Sequence, residues 1–134
     1  MKRILNIICV DDEKIVLDSL NSQLIRNFGN EFNYEFAESA EEALQIVDDL
    51  RVEADEIIYV VISDWLMPGM KGDELLEEVR KKVKNVKTIL LTGHIDSSIV
   101  KSIKDSKKNG IKCIYKPWYI IHIYINLHNT YLLY

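Results

Sequence analysis

The sequence predicts an α/β fold, a three-layer αβα sandwich built on a five-stranded parallel sheet. Three observations predict it. Short apolar runs alternate with stretches of helical periodicity, the pattern of successive βαβ units. Four of those runs stop at charged or hydroxyl residues: Ile4–Val10 at Asp11-Asp12-Glu13, Ile57–Ser63 at Asp64, Thr88–Leu91 at Thr92, and Ile111–Tyr115 at Lys116-Pro117. Helix starts and stops fall between the runs, as Gly29, Ser39–Glu42 and Asn109-Gly110. If the strands are parallel, every one of those polar endings emerges at one edge of one sheet, where open α/β folds bind ligands.

The elements follow in order. After the first strand, Lys14–Phe28 reads as a helix carrying Val16, Leu17, Leu20, Leu24 and Phe28 on one face, with Gly29 as its stop. Tyr34–Ala37 is a short second strand. Ser39-Ala40-Glu41-Glu42 is a capping box that starts a helix with Ala43, Leu44, Ile46, Val47 and Leu50 facing inward. The polar, acidic stretch Arg51–Glu56 reads as the loop before the central strand. Met67-Pro68-Gly69-Met70-Lys71-Gly72 is rich in turn formers and leads into a helix from about Asp73 to Val83, with Asp73 as its cap. The fourth strand covers about Lys87–Leu91. A further helix, capped by Asp96 or Ser97, ends near Asn109-Gly110, and the fifth strand is about Ile111–Tyr115.

The chain has 134 residues, which suits a single domain spanning residues 1–134, and it shows no internal repeat. Its composition, 48% hydrophobic and 28% charged, is ordinary for a soluble globular protein. A net charge of −4 argues against a direct nucleic-acid partner, since phosphate binding needs a basic face. Cys9 and Cys113 both sit inside apolar runs, which fits free buried thiols in a reduced compartment better than a disulfide. There is no Cys/His cluster for zinc. The basic start and short apolar run at the N-terminus only faintly mimic a signal peptide, and no stretch is long and clean enough to span a bilayer. The expected location is the cytoplasm.

The segment after Pro117 differs in kind. It holds no Asp, Glu, Lys or Arg and is dense in Ile, Leu and Tyr. Ile121, Ile123, Ile125 and Leu127 alternate with His122, Tyr124, Asn126 and His128, a strand-like period. Topology asks instead for a closing helix over the last strand, and residues 118–134 are read as that helix. An uncharged, apolar segment also favours a homodimer or a swapped element. The plainer alternative is a truncated or shifted reading frame.

Chemically, Asp11, Asp12 and Asp64 crowded at one sheet edge would repel one another unless a cation joined them. Hard oxygen ligands of this kind suit Mg²⁺. Lys116 would add a positive charge and Thr92 a hydroxyl. Such a set matches phosphoryl transfer, in which catalysis is mostly positioning and charge neutralisation, and a carboxylate can itself be the nucleophile. Taken singly, each motif has an ordinary reading: a solvated acidic turn, a strand-end acid, a surface lysine, a β-turn threonine. Together and in this order they have a sharper one. Val10-Asp11-Asp12-Glu13, Ser63-Asp64-Trp65-Leu66-Met67-Pro68-Gly69-Met70-Lys71-Gly72, Leu91-Thr92-Gly93 and Tyr115-Lys116-Pro117-Trp118 resemble the receiver domain of two-component response regulators, over about Arg3–Trp118.

The resemblance implies a flavodoxin-like doubly wound sheet of order 2-1-3-4-5 with Asp64 on its middle strand. It implies that Asp64 accepts a phosphoryl group from a sensor histidine kinase or histidine phosphotransfer protein. Asp12 and Asp64 would ligate Mg²⁺ directly, Asp11 largely through water, and the Leu66 carbonyl would be a further ligand. Lys116 would pair with Asp64 and then with the phosphoryl group, toward which Thr92 would turn; a cis bond before Pro117 would aim the lysine. Phosphorylation would then shift the face running from Thr92 to the closing helix and so switch binding of a downstream effector. The module would not be an enzyme beyond self-catalysed phosphoryl transfer and hydrolysis, and the chain would stand alone without an output domain. Cys113 stands where the family often has an aromatic switch residue, a departure from the family's pattern. Trp65 and Trp118 read as partly buried rim aromatics, and His94, His122 and His128 have no assigned chemistry. Two other classes compete. A haloacid-dehalogenase-like phosphatase would show Asp-x-Asp after its first strand rather than Asp11-Asp12-Glu13, and a flavin mononucleotide binder would place a Ser/Thr/Gly phosphate loop there.

Overall fold

The computed structural model describes residues 4–53, 57–83, 86–92 and 112–115. In chain order they form β1 (Ile4–Val10), α1 (Lys14–Phe28), β2 (Asn33–Ala37), α2 (Ala40–Glu53), β3 (Ile57–Asp64), α3 (Gly72–Lys82), β4 (Val86–Thr92) and β5 (Lys112–Tyr115). The strands make one parallel sheet of order β2-β1-β3-β4-β5. That is the flavodoxin-like order, with its reversal at β1 and β3. The expected helix after residue 96 and the closing helix over 118–134 lie outside the described residues.

Strands buried on both faces read as near-continuous apolar runs, and β1 and β3 do so apart from Asn6 and the Ser63-Asp64 end. One face packs Ile8, Val10 and Val61 against Ala43 and Val47 of α2 and Leu75, Leu76 and Val79 of α3. The other packs Ile7, Cys9, Val60 and Ile62 against Leu17, Leu20 and Leu24 of α1. The sheet is therefore clad by helices on both sides, as the layered fold class requires. Burial of Cys9 pushes its thiol up to about 12. It behaves as a small hydrophobe.

Three local features differ from the sequence reading. Helix α2 runs on to Glu53, so Arg51–Glu53 are helical rather than loop. Arg51 faces Asp48 one turn back at 3.8 Å, donates to the Lys82 carbonyl at 3.4 Å, and suits the negative end of the helix dipole. Helix α3 starts one residue early, and its N-cap is Lys71 rather than Asp73, which lies within the first turn. The capping box is present but shifted: Ser39 Oγ accepts the Glu42 N–H at 3.1 Å, while the Glu42 carboxylate accepts the N–H of Glu38 at 3.0 Å rather than that of Ser39.

Candidate functional site

The parallel register brings the ends of the strands to one edge. Val10 is paired with Ser63 and with Ala37, and Asp64 is paired with Leu91. Asp11 therefore follows β1 at the same level at which Asp64 ends β3, on the neighbouring strand. Thr92 ends β4, opposite Tyr115 of β5.

Two short-range bonds shape the β1–α1 turn. The Asp11 N–H continues the ladder to the Ala37 carbonyl at 3.1 Å, and Asp11 Oδ1 accepts the Glu13 N–H at 2.9 Å. The second bond is an Asx turn, which folds the chain back toward α1. It leaves Asp11 buried and Asp12 exposed. Asp64 is half-buried. One carboxylate oxygen from each of Asp11, Asp12 and Asp64 lies within 4.8 Å of the others. Three negative groups at such spacing repel, and a shared cation of hard-oxygen preference removes the repulsion. The donor set fits Mg²⁺.

The β3–α3 loop is held by longer-range contacts. The Trp65 N–H donates to the Leu91 carbonyl of β4 at 3.1 Å, and the Gly72 N–H donates to the Trp65 carbonyl at 3.0 Å, closing the loop on itself. Gly72 has no room for a side chain. A Cβ there would overlap the Asp64 carbonyl oxygen and stand 2.9 Å from both the Asp64 carbonyl carbon and Leu90 Cδ1. Gly69 takes φ = 81°, the left-handed region that glycine tolerates. Within the loop, Trp65 and Met67 are buried in the α2–α3 core, while the Leu66 side chain between them is 46% exposed.

Of the seven residues singled out from the sequence, Asp11, Asp12 and Asp64 are gathered together, and Leu66 sits two residues beyond Asp64 on the loop rim. Thr92 closes its strand at the same edge. Lys116 and Pro117 lie outside the described residues, directly after Tyr115 in the chain. Trp65 is not a rim aromatic but 5% exposed. Two residues quoted in the loop motif, but given no individual role from the sequence, belong to this edge. Lys71 places its ammonium 5.1 Å from the Trp65 ring centroid, and Gly72 admits the Asp64 backbone. The Gly72 signal was available as a glycine in a turn-rich run; the Lys71 contact had none.

The response regulator receiver domain family matches residues 7–126 of this chain. Among curated proteins, the chain is 32% identical over 109 residues to the transcriptional regulatory protein FixJ of Rhizobium meliloti, covering 81% of this chain and 48% of that protein. It is 32% identical over 118 residues to the hydrogenase transcriptional regulatory protein HoxA of Cupriavidus necator, covering 87% of this chain and 22% of that protein. The chain thus spans less than half the length of these relatives. A response regulator receiver domain protein from Clostridium thermocellum superposes with a TM-score of 0.77 at 26% identity, covering 95% of this chain and 94% of that one. A family match over so much of the chain, on a sheet of this order, makes it a member of the response regulator receiver domains of two-component signalling.

Proposed function

We propose that the chain receives a phosphoryl group on Asp64 and thereby switches its affinity for a partner protein. The observation that carries the reading is the meeting of Asp11, Asp12 and Asp64 within 4.8 Å at the C-terminal edge of the sheet. Asp12 and Asp64 would hold Mg²⁺ with the Leu66 carbonyl, and Asp11, fixed by its bond to the Glu13 N–H, would orient a bound water. The ion supplies charge neutralisation for the transferring phosphoryl oxygens.

The chain's own residues do the rest. A carboxylate oxygen of Asp64 attacks phosphorus in line with the leaving group; the new O–P bond forms as the donor's P–N bond breaks, and the donor imidazole takes up a proton. The donor is a phosphohistidine on a sensor kinase or histidine phosphotransfer protein. Lys116, the residue after Tyr115 of β5, supplies a cation for the phosphoryl oxygens. Thr92, which ends β4, donates its hydroxyl to them. Hydrolysis of the acyl phosphate resets the module. The new acceptor oxygens give Thr92 and Lys116 contacts absent from the unmodified state, and only such differential contacts can shift a conformational equilibrium. A cytoplasmic location and an effector protein downstream accompany this reading, and the apolar segment beyond Pro117 would serve as a dimer contact.

Intact-mass measurement after incubation with a small acyl phosphate and Mg²⁺ tests the proposal. One added phosphoryl group is expected on the parent and none on Asp64→Asn. An unchanged parent mass overturns it.

A further inference from the structure

We propose that Lys71 is a positioning residue for the cation site, clamping the loop that carries the Leu66 carbonyl by lying over the Trp65 indole. This inference rests on the reading of that carbonyl as a ligand. The loop between Asp64 and Gly72 must present one peptide oxygen to the acids, yet the Leu66 side chain, 46% exposed, cannot fix that peptide by its own burial. Its neighbours must fix it. Met67 on one side is anchored in the core. Trp65 on the other is 5% exposed, but its Nε1 has no hydrogen-bond partner among the described residues, and no such bond pins the ring in its plane. The Lys71 ammonium, 5.1 Å from the ring centroid, covers it. The backbone bond from Gly72 to the Trp65 carbonyl holds Lys71 at that end of the loop, so one residue's tip and the next residue's N–H both grip Trp65.

The clamp makes a prediction of sign. Acting only as a positive charge on the loop that follows the acids, the ammonium would weaken cation binding, so its removal would tighten Mg²⁺. A clamp does the opposite. Isothermal titration of Mg²⁺ into the parent, Lys71→Met and Lys71→Arg, at low and at physiological salt, separates the two. The Met variant is expected to bind roughly two- to fivefold more weakly at both salts, the size of a cation–π contact, and the Arg variant to match the parent because guanidinium stacks as well. Equal or tighter binding by the Met variant overturns the proposal, including the case in which only its urea midpoint falls. A parent that binds no Mg²⁺ overturns the metal reading and this inference together, whereas a binding parent with an indifferent Met variant overturns this inference alone.

Discussion

The two ends of the central strand handle charge in opposite ways. At its C-terminal end, Asp64 stands with Asp11 and Asp12 in a cluster of like charge. Below its N-terminal end, Lys82 of α3 reaches Asp48 of α2 at 2.9 and 3.0 Å, with Arg51 beside them, so opposite charges pair across two helices. One end gathers like charges into a donor set that fits a cation; the other pairs opposite charges between two helices. The eight residues of β3 keep the two charge arrangements apart.

The contrast can be broken most severely at Gly72. Gly72→Ala drives a methyl into the Asp64 backbone and is expected to cost about 3 kcal/mol or more, read as a lowered urea midpoint. A loss well under that would mean that the loop yields easily and that the functional end is not stiff. At the other end, Tyr59 is buried with a hydroxyl that has no hydrogen-bond partner among the described residues. Tyr59→Phe is expected to gain about 1 kcal/mol by removing that unsatisfied group. Burial raises the Tyr59 pKa above its ordinary 10.0, partly opposed by the Arg51 charge. Its folded form thus keeps the proton longer than the unfolded form does. Folding stability is unaffected by this group's titration below pH 10.0 and falls as pH rises beyond it, so the Phe variant should show a flatter alkaline limb in thermal melts. The smallest effect concerns the acids. Asp12→Ala without divalent cation is expected to raise stability by about 1 kcal/mol or less through relief of repulsion, while abolishing the stabilisation that added Mg²⁺ gives the parent. A destabilised apo variant would show that the acids are not in conflict.

Much of this was legible in the sequence because it follows from periodicity and strand ends. Lys14–Phe28 forms the helix expected of it, since Leu17, Leu20 and Leu24 lie on one face and Gly29 ends it. The acid cluster follows from three side chains placed at the ends of two neighbouring parallel strands, which geometry alone then brings together. The failures share a different cause. Arg51 looks like loop by composition, but its partners Asp48 and the Lys82 carbonyl come from helical spacing and from another helix. Asp73 looks like a cap, but the first N–H of α3 already has the Trp65 carbonyl. Trp65 next to a polar site looks like a rim, yet it turns into the α2–α3 core. In each case a contact formed only in the folded structure, within a loop or between helices, overrode the composition of the segment.

The Gly72 N–H bond to the Trp65 carbonyl, with no room for a Cβ against the Asp64 carbonyl, closes residues 64–72 into a tight loop. A designer wishing to move this chemistry onto another sheet could not borrow the aspartate alone or splice in a longer connector. The whole nine-residue cassette, glycine included, would have to travel as one part, and helix α3 would have to leave the recipient strand in the same direction.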